Sequence, residues 1–358
     1  METADMYISG VGSYLPDTVD VDHAVAAGWY PAEEVELHRL ASVAVAGDIP
    51  APEMALRAAR TAVARSGRSP ADLDLLLYTS TWHQGPEGWP PQAYVQRHLV
   101  GDGVLSTQLK QGCNGMFAAL ELAASYLRAE PGRQAALLVA ADNYGTPLAN
   151  RWRMLPGAVA GDAGSAVVLD TEPGFARLAS VSSVSVSQAE EMHRCAEPLF
   201  PPGVTEGRAV DFGAHNDTFR RRAVAGGEGT MVLVTLDERM VEVIDRALSE
   251  AGIKAADVTR MTCMNTSQEI ADHICEHRLG IPASRSAWEF GRTIGHCGAS
   301  DQVLALEHLV RSGDLGPGDH LLMFAYGPGV TISAAVVEIL ESPAWARRQG
   351  GMRDGPTL

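Results

Sequence analysis

Cys113 is the residue with the most chemistry to offer. In the run Leu109-Lys110-Gln111-Gly112-Cys113-Asn114-Gly115-Met116 it stands where a strand-like apolar stretch gives way to a helical pattern. From Met116 onward, apolar side chains recur at Ala119, Leu120, Leu122, Ala123, Tyr126 and Leu127, the spacing of one helix face. The sulfur therefore falls at a helix N-terminus, where unpaired N–H groups and the positive end of the dipole favour thiolate over thiol. Gly112 and Gly115 leave room for a substrate to approach the sulfur and the neighbouring backbone N–H. The chemistry implied is nucleophilic, with a group carried covalently on sulfur. The competing reading is a buried structural cysteine, since free Cys is among the most buried residue types.

A nucleophile of this kind needs a base, a group that orients the base, and donors for an oxyanion. The loop Gly291-Arg292-Thr293-Ile294-Gly295-His296-Cys297-Gly298-Ala299-Ser300-Asp301 opens a helical pattern continuing through Val303, Leu304, Leu306, Leu309 and Val310. Asp301, in the first turn, is close enough to hold one nitrogen of His296 and fix its tautomer. Alternatively, Asp301 is only a favourable acid at a helix N-terminus and His296 a loop histidine. Spacing does not bring Cys113 and His296 together; that requires two halves packed about a pseudo-twofold axis.

Other candidates compete less well. His273-Ile274-Cys275-Glu276-His277 looks like a ligand cluster, but on a helix these residues point to different faces, so no metal site is expected. Gly161-Asp162-Ala163-Gly164 resembles a phosphate loop yet leads into a strand-like run, which predicts a tight turn. Arg151 and Arg153 flank Trp152 and are candidates for holding a phosphate, against the alternative of solvated arginines.

The elements that must position these residues repeat. Ala64-Arg65-Ser66-Gly67, Ala71-Asp72-Leu73 and the run Leu75 to Ser80 are echoed by Ser249-Glu250-Ala251-Gly252, Ala256-Asp257-Val258 and the run Met261 to Ser267. Each copy reads as helix, glycine stop, turn and buried strand. Leu120-Glu121, Pro131-Gly132 and the run Ala135 to Ala141 are echoed in the same way by Leu306-Glu307, Pro317-Gly318 and the run Leu321 to Ala325. Short apolar runs without alternation, separated by helical patterns, predict parallel strands buried on both faces. The expectation is an α/β protein of two duplicated halves: residues 1–179 with the cysteine, a connecting excursion or cap over 180–229, and 230–358 with the His and Asp. The excursion contains Pro201-Pro202-Gly203 and Gly226-Gly227. The segment Trp82 to Pro91, rich in Gly and Pro, is a candidate wall of the site because ligands gather beyond strand ends in such sheets. The tail from Ala344 onward is expected to fray.

With 358 residues and 46% hydrophobic content, the chain can bury a substantial core. Five cysteines without paired spacing suit a reducing cytoplasm better than a disulfide framework. The N-terminus lacks a targeting pattern, and no stretch approaches the roughly 18 apolar residues of a spanning helix, so a cytoplasmic protein with no membrane partner is expected. A net charge of −16 argues against nucleic acid as a partner, while a local basic patch remains able to grip an acidic group.

The ordered set of Tyr7 to Pro16, the Cys113 element, Gly161 to Leu169 and Ala325-Tyr326-Gly327-Pro328-Gly329-Val330-Thr331 resembles the ketoacyl-ACP synthase III family. The resemblance implies the thiolase fold, a five-layered αβαβα core of two βαβαβαββ halves, in a homodimer that needs no cofactor. It also implies an acyl group carried on Cys113 from a CoA or acyl carrier protein donor. Decarboxylating members carry a His in a His-Gln-Ala-Asn element, and here that element reads Met264-Asn265-Thr266-Ser267. Where the family has Asn in Gly-Asn-Thr-Ser, this chain has His296, and Asp301 replaces a small residue. Methionine cannot donate a hydrogen bond to an enolate. The pattern therefore resembles the Cys-His-Asp branch of acyltransferases in polyketide and antibiotic biosynthesis, with a hydroxyl, amine or carrier thiol on a small molecule or carrier protein as acceptor. The alternatives are a condensing enzyme that primes chains and a non-catalytic partner subunit. Cys113, Gly327 and Gly329 are the candidate backbone oxyanion donors, because Pro328 has no N–H. Trp82, Asn265, Arg151 and Arg153 are the candidate substrate contacts.

Overall fold

Apolar runs long enough to be buried on both sides form the centre of the molecule. The computed structural model describes residues 1–145, 149–195, 197, 199, 209–226 and 229–346. Strands β4 (Ala135–Asp142) and β5 (Ala163–Asp170) are buried at every position. With β1 (Tyr7–Tyr14), β2 (Leu73–Thr79) and β3 (Leu105–Leu109) they form the first half of a nine-stranded mixed sheet. The second half comprises β6 (Ala176–Ser185), β7 (Arg260–Thr262), β8 (His320–Gly327) and β9 (Thr331–Ile339). The order is β3-β2-β4-β5-β1-β6-β9-β8-β7. Read outward from the centre, β1-β5-β4-β2 on one side matches β6-β9-β8-β7 on the other, so the duplication is visible as topology. The counterpart of β3 is reduced to one parallel bridge between Met261 and Ser286. The halves join through a short antiparallel seam, Tyr7 with Arg177 and Ile8 with Ala176.

Because successive strand residues face opposite ways, each half-sheet has two apolar faces to cover. Leu75, Leu77, Ala136 and Leu138 of the first half and Leu321, Met323, Ala335 and Val337 of the second share one core cluster. Helices α2 (Gly115–Arg128) and α5 (Asp301–Ser312) lie in that cluster. The outer face of the first half, including Leu76 and Leu137, packs on α1 (Ala51–Ser66). The outer face of the second, including Leu322 and Val336, packs on α4 (Gly229–Glu250). The layers are therefore helix, sheet, helices, sheet, helix. Gly67 and Gly252 follow the ends of α1 and α4 with φ of +76° and +71°, matching the glycine stops read from the repeat.

Two boundaries differ from expectation. The strand expected over Met261 to Ser267 stops at Thr262, because the following backbone turns away to serve Asp301 (Asn265 N–H to Oδ2, 2.8 Å). The excursion expected from residue 180 starts later, since β6 runs in register with β9 to Ser185. It includes helix α3 (Phe212–Ala225). Pro201-Pro202-Gly203, Gly227 and the tail beyond Ala346 lie outside the described residues. Among the described residues, no helix is long and apolar enough to cross a membrane.

Candidate active site

Cys113 occupies a tight turn, Gly112–Asn114, that runs straight into α2. Gly112 has φ of +54°, and a side chain there would strike the Pro328 ring. A side chain at Gly115 would collide with Thr79 at the end of β2. The two glycines thus allow the turn to be clamped between β2 and the Gly327–Val330 turn. In that second turn the Val330 N–H donates to the Gly327 carbonyl at 2.9 Å, with Gly329 at φ +77°. The Gly329 N–H is not used by the turn itself.

His296 comes from the equivalent place in the second half, the loop leading into the other central helix. Its N–H donates to the Val159 carbonyl (2.8 Å) and its carbonyl accepts from the Gly161 N–H (2.9 Å), so the backbone is pinned on both sides. The ring places Nε2 2.9 Å from Cys113 Sγ and Nδ1 2.6 Å from Asp301 Oδ2. Asp301 is fully buried at the start of α5. Its oxygens also accept from the Cys297 N–H (2.7 Å), the Asn265 N–H (2.8 Å) and Asn265 Nδ2 (3.1 Å). Burial opposes a charge on His296, but the charges of Cys113 and Asp301 and their hydrogen bonds outweigh it, holding the imidazole well above its ordinary pKa. A protonated ring donates from both nitrogens, to the carboxylate on one side and the sulfur on the other.

The other residues expected at the site divide. Asn265, expected as a substrate contact, is a correction: its amide is buried, with Nδ2 spent on Asp301 and the Gly295 carbonyl (2.9 Å), so it braces Asp301. Arg151 is another, because it is buried in a two-armed pair with Asp162 at 2.8 and 2.9 Å. Arg153 is exposed, with Nε on the Trp29 carbonyl at 3.3 Å. Trp82 is half-buried with its ring 6.2 Å from that of Tyr144. Beyond it, residues 83–91 with Gln108 and Lys110 line a cavity of about 300 Å³. Gly161 does lead into a strand, β5. In the His273 to His277 segment the two imidazoles stack outside while Cys275 is buried, and no metal-binding cluster occurs among the described residues.

One group was not foreseen. Asp142 ends the wholly apolar run of β4 in a buried position. Burial pushes its carboxyl up to about 7, against the N–H groups of Trp82 and Thr81 that bond it. Its Oδ2, the Thr81 hydroxyl and the Tyr144 hydroxyl lie 2.6, 2.8 and 3.0 Å from where a Cβ on Gly298 would stand. A lone acid closing an apolar run was the available signal.

Comparison with known proteins bears on the family and the fold. The family model described as 3-oxoacyl-[acyl-carrier-protein] synthase III matches residues 108–185, and its C-terminal counterpart matches 248–339. The solved structure of the acyltransferase ChlB3 is 56% identical, covers 95% of this chain and 99% of its own, and superposes with a TM-score of 0.90. This chain belongs to the ketoacyl-ACP synthase III family. Another relative is the acetoacetyl-CoA synthase NphT7 of Streptomyces sp. strain CL190, 25% identical over 346 residues, 92% of this chain and 98% of that protein. The priming β-ketosynthase of the R1128 polyketide pathway shares the fold, at 23% identity and a TM-score of 0.74 over 94% of this chain and 97% of its own. The fold is thiolase-like, as the layered halves require.

Proposed function

We propose that the protein is an acyltransferase working by two displacements at Cys113. The thiolate attacks the carbonyl of a CoA or carrier-protein thioester; the carbon–sulfur bond to the donor breaks, and the donor thiolate leaves with the proton of His296. Acylation removes the negative charge from sulfur, and with it one of the influences that hold the His296 proton. The neutral ring, oriented by Asp301, then takes the proton of an acceptor hydroxyl, amine or carrier thiol as that atom attacks acyl-Cys113. Product forms, the sulfur leaves as thiolate, and the ring is again protonated. The Cys113 and Gly329 N–H groups are the oxyanion donors in this reading, with Gly327 the alternative.

The observation that carries it is the continuous contact from Cys113 Sγ to His296 to Asp301, at 2.9 and 2.6 Å. Met264, in place of the family histidine, packs in the central core against which Cys113 rests and offers no donor to an enolate. The 56% identity to an enzyme described as an acyltransferase supports the same reading. A homodimer is part of it, and the half-exposed edge strand β3, paired among the described residues only with β2, offers a surface for one. The test is to acylate the enzyme with a panel of N-acetylcysteamine thioesters, locate the adduct by mass spectrometry, and add malonyl carrier protein. An adduct on Cys113 with no carbon dioxide release is expected. Rapid release supports the condensing alternative, and no adduct supports a non-catalytic subunit.

A further inference from the structure

A chain of hydrogen bonds runs through the central core from the residue after Cys113 back to α2. Asn114 is fully buried, and its Nδ2 donates to Ser333 Oγ at 2.8 Å. Ser333, fully buried on β9, stands directly opposite Ser183 on β6, with the two hydroxyl oxygens 2.8 Å apart. Ser183 Oγ donates in turn to Glu121 Oε2 of α2 at 2.8 Å. An amide N–H can only donate, and Ser183 spends its proton on Glu121, so Ser333 donates to Ser183 and every bond points from Asn114 toward Glu121. The Asn114 amide is held by its donor end alone: Nδ2 also reaches Gln111 Oε1 at 3.3 Å, while Oδ1 has no partner among the described residues.

Stability does not ask for such a chain. Placing an amide and hydroxyls inside an apolar core carries a desolvation cost that their mutual bonds at best return, and apolar side chains of the same shape would fill the space as well. What the chain does is join two turns. Asn114 belongs to the turn that holds Cys113, and Ser333 lies near the start of β9, the strand leaving the Gly327–Val330 turn. The two turns are in contact, since a side chain on Gly327 would stand 2.5 Å from the Gln111 carbonyl oxygen and 3.0 Å from Asn114 Cβ. The bond from Asn114 to Ser333 therefore ties the turn of the sulfur to the strand next to the Gly329 N–H.

We infer that Asn114 is a positioning residue: through Ser333, Ser183 and Glu121 it holds Cys113 Sγ in register with the oxyanion donors of the neighbouring turn. In a tetrahedral intermediate the attacking sulfur and the oxyanion sit on the same carbon, so the sulfur and the donors must be fixed relative to one another and not only to the fold. Strands β6 and β9 of the second half, paired to each other along their length, supply that reference for a nucleophile carried by the first.

The inference rests on attack of Cys113 at a carbonyl, as the acyl-transfer reading requires, and the experiment separates the two. Single-turnover acylation by N-acetylcysteamine thioesters and by p-nitrophenyl acetate, which both pass through an oxyanion, is compared with alkylation by iodoacetamide, which does not. Asn114→Ala and Ser333→Ala are each expected to slow acylation by about 10-fold or more, the scale on which small misplacements act, while the alkylation rate and its pH profile stay as in wild type. The double variant should be no slower than either single one, because both break the same bond. Ser333→Thr, which keeps the hydroxyl, should recover most of the rate. Glu121→Ala, at the half-buried end of the chain, should give the same split at smaller size, and it carries the test if the buried variants do not fold. Equal loss in acylation and alkylation, no loss, or losses that multiply in the double variant would overturn the proposal. Failure of every thioester to label wild-type Cys113 would instead defeat the transfer reading, with p-nitrophenyl acetate still deciding the register. Failure of both kinds of acyl probe would overturn the two together.

Discussion

Asp301 shows how one carboxylate organises a reactive ring. With its oxygens taken by His296, Cys297 and both nitrogens of Asn265, it cannot rotate, so the orientation of the imidazole is fixed. Asp301→Asn keeps the shape but presents an amide N–H where an acceptor is needed. The expected result is a drop of about 10²–10⁴-fold in the transfer step, with acyl-Cys113 persisting in intact-mass spectra after acceptor is added. Asn265→Ala tests the brace. It leaves the buried Gly295 carbonyl and one Asp301 oxygen short of a donor, at a cost of roughly 1–3 kcal/mol in stability. kcat should fall with KM for the acceptor unchanged; a raised KM at unchanged kcat would restore Asn265 as a substrate contact. The residues that meet here, Cys113, His296 and Asp301, are ones whose types and local settings already single them out in the sequence. The role of Asn265 was not legible there, because it depends on a bond to a residue 36 positions away.

At the scale of elements, the site depends on how closely backbone can approach backbone. Thr79 at the end of β2 lies where a side chain on Gly115 would have to go, and its buried hydroxyl has no hydrogen-bond partner. Gly115→Ala is therefore expected to force α2 outward, costing roughly 1–3 kcal/mol and slowing acylation by displacing Cys113. Thr79→Ala opens that space, and because the lost hydroxyl satisfies nothing, the double variant should recover part of both losses. A thermal-denaturation cycle that gives simple additivity would show the two residues not to be in conflict. The helices and strands around this point were readable from the repeated glycine stops and apolar runs. The shortening of β7 and the extension of β6 to Ser185 were not, since both are decided by pairing between segments far apart in sequence.

At the scale of the whole molecule, duplication puts Cys113 and His296 at equivalent positions before the two central helices, and the seam between halves becomes the candidate site. The pseudo-twofold packing inferred from two echoes was the one long-range relation the sequence could supply. Asp142 is a consequence of that packing: it closes a strand of the first half and meets Gly298 from the second. A carboxyl raised from 3.8 to about 7 by folding holds a proton that the unfolded chain releases. Stability must then decline as pH rises between those two values and level off above the higher one. The full effect is at most about 4 kcal/mol, at 1.36 kcal/mol per pKa unit. Asp142→Asn keeps an acceptor for the Thr81 and Trp82 N–H groups and removes the titration. Its melting temperature relative to wild type should climb from pH 5 to pH 7 and stay level to pH 8. A difference independent of pH over that range would mean that the carboxyl is ionised throughout, held by its two backbone donors in spite of its burial.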